Sequence, residues 1–225
     1  MNIAILFSGR IFGYEKTIES YKEHIYKENT HIFIAHNAYN PEDLSIFNSS
    51  KNIHVTSELY VMPESPPIRY SNPGTDPNGY YLSSMWYNRN LAYKMMKEFS
   101  LKNNIKFDIV ISARLDALIK SPLITPVEEN TIYIPNNEDH GGLNDQFAYG
   151  TMDIMEVYCN LYNNVKTVTP GPETLLKDYI KTTGINIKRI DLVYQLLGDR
   201  HLYNNERTHD NRERIKYLES KGMHR

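Results

Sequence analysis

Cysteine is almost missing: Cys159 stands alone among 225 residues. No internal disulfide can form, and no Cys/His cluster with zinc-ligand spacing exists, which predicts a reducing environment. The eight histidines include no H-x-x-x-H pair. Long apolar runs are missing too, since none reaches the roughly 18 residues of a membrane span. The opening stretch "MNIAILFSGR" has no basic leader, and its apolar run is too short for a signal-peptide core. A soluble, cytoplasmic protein without a membrane span is therefore expected. An excess of positive charge is absent as well. With 25 Lys and Arg against 27 Asp and Glu, a net charge of -2 excludes a surface devoted to nucleic acid or anionic lipid, which needs clustered cations. Three phosphate or nucleophile signatures also fail. "SGRIFGYEKT" lacks the P-loop spacing, no G-x-G-x-x-G follows the first apolar run, and G-x-S-x-G does not occur.

What is present is ordinary globular composition, 40% hydrophobic and 23% charged, in a length that suits one sizeable core. The pattern predicts a single domain over 1–198 and a polar, mixed-charge tail or linker over 199–225. "NIAILF" (2–7) reads as a buried first strand closed by Ser8-Gly9. Tyr14, Ile18, Tyr21 and Ile25 then mark one stripe of a helix. "HIFIAHN" (31–37) and residues 51–61 read as further strands. This opening predicts an α/β fold with a mostly parallel, Rossmann-like central sheet flanked by helices. Residues 62–80, with five prolines and two glycines, predict a loop with no regular element. A helix over 82–102 follows, then a strand over 107–112, then "TIYIP" (131–135). "FAYG" (147–150) reads as a short antiparallel strand. A helix over 152–164, another from Pro172 to Gly184, and a last strand over 185–197 complete the reading.

Ligands of open α/β sheets bind beyond the carboxyl ends of the strands. Three polar clusters fall there: Ser8-Gly9-Arg10, His36-Asn37 and Arg114-Leu115-Asp116. If the chain stays extended past Ser112, residues 114 and 116 share a side and present a cation and a carboxylate together. That pair reads either as a structural ion pair or as a nucleotide-diphosphate site. In the second case Asp116 holds Mg²⁺ or Mn²⁺ and Arg114 neutralises phosphate or fixes a sugar. Ser8, Gly9 and Arg10, at a helix N-terminus, suit an anion. Arg89 sits on an otherwise apolar helical stripe. It either snorkels to water or, with Trp86, walls the nucleotide crevice, and if buried it needs a carboxylate or phosphate partner. In "GGLNDQFAYG" (141–150), Asn144, Asp145 and Gln146 read either as a turn capping its own backbone or as a sugar-binding and catalytic loop. There Asp145 serves as general base while Asn144 and Gln146 hold sugar hydroxyls. Glu173, at a helix start, is a second candidate base.

These residues carry a resemblance. "ILFSGRIFGYEKTIESYKEHI", a strand ending in His-Asn, a Trp-bearing helix, a strand running into R-x-D and the loop "LNDQFAYG" together resemble the small GT-A glycosyltransferases of bacterial polysaccharide clusters and large DNA viruses. The likeness spans residues 2–197. It departs at Leu115, where the family commonly has proline, and at Ser112, where a further arginine often stands. By this resemblance Ser8, Gly9, Arg10 and Asn37 line the nucleotide. Arg114 and Asp116 meet the diphosphate, metal and donor sugar, and residues 144–146 face the acceptor. The abundant Asn, Ile, Lys and Tyr read as A/T-rich coding, as in a virus or low-GC bacterium.

The expectation is a nucleotide-sugar glycosyltransferase, metal-assisted by Mn²⁺ or Mg²⁺ and inverting, acting on a glycan or other hydroxyl acceptor. Two rivals stand beside it. One is another α/β transferase with a nucleotide-like donor, such as a sulfotransferase or methyltransferase. The other is a non-catalytic carbohydrate-binding or assembly module.

Overall fold

The computed structural model describes residues 1–9, 14–36, 52–57, 67–71, 79–123 and 127–197. Arg10, Asn37 and the expected tail over 199–225 lie outside the described residues. The chain runs through β1 (Ile3–Ser8), α1 (Tyr14–His24), β2 (Thr30–His36), β3 (Ile53–Ser57), β4 (Ile68–Tyr70) and α2 (Tyr80–Asn103). It continues through β5 (Ile109–Arg114), β6 (Ala117–Ile119), β7 (Thr131–Pro135), β8 (Phe147–Gly150), α3 (Met152–Cys159) and α4 (Leu161–Asn164). The last elements are β9 (Thr167–Thr169), α5 (Pro172–Thr183), β10 (Asn186–Ile190) and β11 (Tyr194–Leu196).

Seven strands form the central sheet in the order β10-β7-β8-β5-β1-β2-β3. Only β8 runs against its neighbours, antiparallel to both β5 and β7. The expected α/β architecture with a mostly parallel sheet is therefore what the chain adopts. β1 lies inside the sheet between β5 and β2, and all six of its residues are buried, as in a strand covered on both faces. Alternation divides the sheet between two cores. Ile3, Ile5 and Phe7 face Ile18, Tyr21 and Ile25 at α1, while Ala4 and Leu6 face Trp86, Tyr93 and Met96 of α2. Each such large side chain removed from water contributes about 1.5–3 kcal/mol before conformational entropy is charged against it.

α2 ends where Asn104 turns left-handed, φ 52°, and returns its N–H to Leu101 and Ser100. α5 begins on Pro172, whose missing N–H costs nothing there, and stops at Gly184 in the left-handed conformation.

Three expectations need correction. Residues 62–80 are not devoid of regular structure, since β4 pairs in parallel with β9 nearly a hundred residues further on. The helix over 152–164 is two helices separated at Asn160. The last strand over 185–197 is also two. β10 continues the sheet beside β7, and β11 turns away to pair antiparallel with β6, a strand absent from the sequence reading.

Candidate functional site

The sheet order reverses at β1. Its right-hand sequence neighbour β2 lies on one side and β5 on the other, both parallel to it. Such a reversal opens a crevice beyond the carboxyl ends of the two diverging strands. In register, Ser8 is opposite Arg114, and the Leu115 N–H reaches the Ser8 carbonyl at 3.4 Å. The clusters at Ser8-Gly9 and Arg114-Leu115-Asp116 therefore meet. Gly9, at φ 118°, turns the chain out of the sheet in a conformation that favours glycine.

Arg114 grips Asp116 with both prongs, Nε to Oδ1 at 2.8 Å and Nη2 to Oδ2 at 2.6 Å. The pair is not sealed: the Arg114 side chain keeps 32% of its surface in solvent and that of Asp116 14%. Asp116 lies in the turn between β5 and β6, and its carbonyl accepts the Leu197 N–H at 2.9 Å, so the residue after β11 closes over this turn.

Antiparallel β8 brings in the loop residues Asn144, Asp145 and Gln146. Because it runs the opposite way, its entrance rather than its exit lies beside the end of β5, and the Arg114 N–H bonds the Gln146 carbonyl at 3.2 Å. The loop over 136–146 is heavily tied. Asn144 is fully buried. Its backbone N–H donates to Asp139 Oδ1, its amide N–H donates to the Asn137 carbonyl and the Tyr194 hydroxyl, and its Oδ1 accepts from the Gln146 N–H. Gln146 receives the Tyr194 hydroxyl on Oε1 at 3.0 Å. Asn144 thus makes the self-capping turn of the first of its two readings, with its polar atoms directed into the loop. Arg189 of β10 holds Asp139 at 2.7 Å and also donates to the Pro135 carbonyl. Lys177 of α5 donates to the Gly141 carbonyl at 2.7 Å.

Gly142 explains the paired glycines. A Cβ there would lie 2.0 Å from the backbone of Glu173, so only glycine allows the loop to touch the first turn of α5. The Leu143 N–H uses that proximity to bond the Glu173 carbonyl at 3.0 Å.

Behind this loop is a sealed charge pair. Arg89, 1% exposed, donates to the Asp145 carbonyl at 2.5 Å and lies 3.3 Å from its carboxylate. The guanidinium also stacks on the Trp86 ring at 4.3 Å, and Tyr158 packs edge-on against that ring and donates to the same Asp145 carbonyl. Arg89 therefore has the carboxylate partner its burial demands. It and Trp86 lie beneath the loop, with no surface open to a crevice. Two donors here, Arg89 Nη1 and Trp86 Nε1, are buried with no hydrogen-bond partner among the described residues.

Glu173 differs from Asp145. It is half-buried, and its carboxyl pKa is pushed up by burial and by the nearby Asp145 charge, while its own backbone N–H, His140 and Arg89 pull the other way. Cys159 is no nucleophile: burial pushes its thiol up to about 12, against the opposing pull of Arg89 and a hydrogen bond with Ser112.

Register and hydrogen bonds thus join Ser8, Gly9, Arg114, Asp116 and Gln146 at the carboxyl end of β1 and β5, while Asp145 and Glu173 flank the loop that leads into β8. Tyr194, Asp139 and Arg189, which frame the loop, carry no local sequence signal; each lies in an ordinary strand or turn context.

No family model matches the chain, and no curated protein matches it in sequence. Among solved structures it is similar to mouse xyloside xylosyltransferase 1 in the apo form, at 12% identity and a TM-score of 0.46 over 84% of either chain. It is also similar to the glycosyltransferase GlyE of Streptococcus pneumoniae TIGR4, at 12% identity and a TM-score of 0.46 over 84% of this chain. The apo form of GlyE gives 10% identity and a TM-score of 0.44. The chain spans 44–45% of the GlyE chain. Among the described residues no helix is long and apolar enough to cross a membrane.

Proposed function

We propose that the chain is a glycosyltransferase of GT-A type that moves a sugar from a nucleotide-diphosphate donor to a hydroxyl of a glycan or other acceptor. One observation carries this reading: the strand-order reversal brings the Ser8-Gly9 turn beside Arg114 and Asp116. Turn N–H groups and a partly exposed guanidinium at the carboxyl end of two adjacent strands suit a diphosphate. Arg10 and Asn37 remain candidates for the nucleotide side of this crevice.

The two-pronged hold of Arg114 on Asp116 is the geometry in which a guanidinium also takes phosphate. A diphosphate that displaces Asp116 from Arg114 frees both carboxylate oxygens. Asp116 is then fit to share Mn²⁺ or Mg²⁺ with the donor, because such ions are commonly held by one or two carboxylates plus substrate phosphates. No group of three or more His, Cys, Asp or Glu that could hold a cation occurs among the described residues. When bound, the cation would neutralise charge on the departing diphosphate. Arg114 stabilises the same charge, an electrostatic contribution that is usually large in group transfer.

Two carboxylates are available as the base that takes the acceptor proton, in one inverting displacement. Asp145 is already engaged by Arg89 in a buried ion pair and faces away from solvent. Glu173, half-buried with a raised pKa, is better matched to that role. Gln146 and Asn144 act on the acceptor side chiefly by fixing the loop that positions Asp145.

A panel of nucleotide-sugar donors with and without Mn²⁺, read by release of nucleoside diphosphate, tests the proposal. Turnover by one donor, abolished in Asp116→Asn, is expected. Binding of an adenosine-bearing sulfate or methyl donor, indifferent to Asp116→Ala, would instead assign a different transferase. Glycan binding with every donor left intact would make the chain a binding module.

A further inference from the structure

The short strands β6 and β11 pair with each other outside the central sheet, and β6 begins on the residue after Asp116. Leu196 of β11 is opposite Ala117, and the following Leu197 N–H bonds the Asp116 carbonyl at 2.9 Å. Three segments therefore pin the main chain around Asp116. The Gln146 carbonyl takes the Arg114 N–H at 3.2 Å, the Ser8 carbonyl takes the Leu115 N–H at 3.4 Å, and Leu197 closes the third side. With its backbone held in this way, Asp116 exchanges one partner for another by turning its side chain alone.

Tyr194, the first residue of β11, reaches the loop that leads into β8. Its hydroxyl accepts from Asn144 Nδ2 at 2.8 Å and donates to Gln146 Oε1 at 3.0 Å. This direction is forced. The Gln146 backbone N–H can only donate, which fixes Asn144 Oδ1, and the Asn137 carbonyl can only accept, which fixes Asn144 Nδ2. Tyr194 must then accept from Asn144, and its own proton is left for Gln146. One hydroxyl thus orients both amides. Leu143, next to Asn144, gives its N–H to the Glu173 carbonyl at 3.0 Å, so the same loop also holds the first turn of α5.

We propose that Tyr194 is a positioning residue of the candidate site, whose hydroxyl locks the loop over 143–146, through β11, to the turn that carries Arg114 and Asp116. Its catalytic consequence rests on the glycosyltransferase reading. There Arg114 and Asp116 meet the leaving diphosphate and Glu173 takes the acceptor proton, so the two sides of one displacement are framed by a single three-residue strand. The mechanical coupling itself does not depend on that reading. Its partners stand 50 and 48 positions from Tyr194 in the chain, which is why no motif announces it.

The test compares the full chain with Tyr194→Phe, which keeps the ring and removes only the hydroxyl. Gln195→Ala, which loses only an exposed contact with Lys120 on the same strand, is the control. Amide hydrogen exchange is followed at Leu143, Asn144 and Gln146, whose N–H groups bond Glu173, Asp139 and Asn144, and at Ile5 and Ile111 in the central sheet. In Tyr194→Phe the three loop amides are expected to exchange about tenfold faster, the scale of one net hydrogen bond, with the sheet amides unchanged. Turnover is expected to split in the same sense. kcat falls at least about tenfold, since a misplacement of about 1 Å costs about a hundredfold, while donor KM and nucleoside-diphosphate affinity stay as in the unaltered chain. Gln195→Ala is expected to change none of these. Loop amides as slow in Tyr194→Phe as in the unaltered chain, a uniform rise that includes the sheet amides, or an unchanged kcat would overturn the proposal. Absence of turnover by the unaltered chain with every donor would contradict the glycosyltransferase reading instead, and loop exchange would still decide the role of Tyr194.

Discussion

Arg89 and Asp145 hold each other out of water, and what happens when one is removed separates support from chemistry. Losing one member of a buried pair leaves an uncompensated charge, at a cost of about 3–5 kcal/mol. Arg89→Met is therefore expected to lower stability to urea by that amount, with activity falling as the Asp145 loop loosens. A change under about 1 kcal/mol, the range of exposed pairs, would show that the pair does not carry the loop. Glu173→Gln should behave in the opposite way. The fold raises the Glu173 pKa, so it disfavours the charged form. Stability attributable to this group is lower above its folded pKa and recovers as pH falls through it. The glutamine variant should be at least as stable as the unaltered chain at neutral pH. Its turnover should nevertheless drop by about 10²–10⁴, the usual worth of a positioned base. In the unaltered chain, rate against pH should rise through an acid limb displaced above the ordinary carboxylate range, and that limb should vanish in Glu173→Gln. An unchanged limb in the variant would move the base elsewhere, with Asp145 next.

Elements decide how these residues meet, and there the sequence was partly legible. Strands β1 and β5 announce themselves as apolar runs ending in polar clusters, and Pro172 with Gly184 brackets α5 by its own chemistry. The paired glycines at 141 and 142 signalled close approach without saying to what; the partner is the α5 backbone, 31 residues on from Gly142. Short strands were lost because three residues carry no period. β4, β6 and β11 exist through pairing with distant segments, and nothing local marks Asp191–Val193 as the break between β10 and β11. Burial of Arg89 demanded a carboxylate, but which one follows only from the antiparallel course of β8, which brings a residue 56 positions away. The same course made the self-capping reading of Asn144 and the acceptor-loop reading of Asp145 indistinguishable beforehand. Gly142→Ala tests the element contact directly. Its Cβ has no room against Glu173, so a loss of about 1–3 kcal/mol is expected from overpacking. Activity should fall with it. Near-native stability and turnover would mean that loop and helix do not need this contact.

Over the whole molecule, the two ends of the sheet carry different titratable and charged groups. At the strand starts, His31 and His54 have lowered pKa values, so the unfolded chain binds their protons first as pH falls below about 6.5. Their contribution to stability is present above that pH and is lost below it, toward the folded values. Thermal unfolding from pH 7.5 to 5 should show this loss, and it should shrink in His54→Phe; an identical pH dependence in the variant would contradict it. At the strand ends, the reversal of order at β1 sets Ser8 beside Arg114, the arrangement on which the proposed chemistry depends. Calorimetric titration of the full chain with UDP, GDP, CDP and ADP, in the presence and absence of Mn²⁺, addresses that arrangement most directly. One nucleoside diphosphate is expected to bind, more tightly with Mn²⁺. Arg114→Met should abolish the binding and Asp116→Asn should remove the Mn²⁺ enhancement. Binding of none of the four, or binding by Arg114→Met as tight as by the unaltered chain, would contradict a diphosphate site at the junction of β1 and β5.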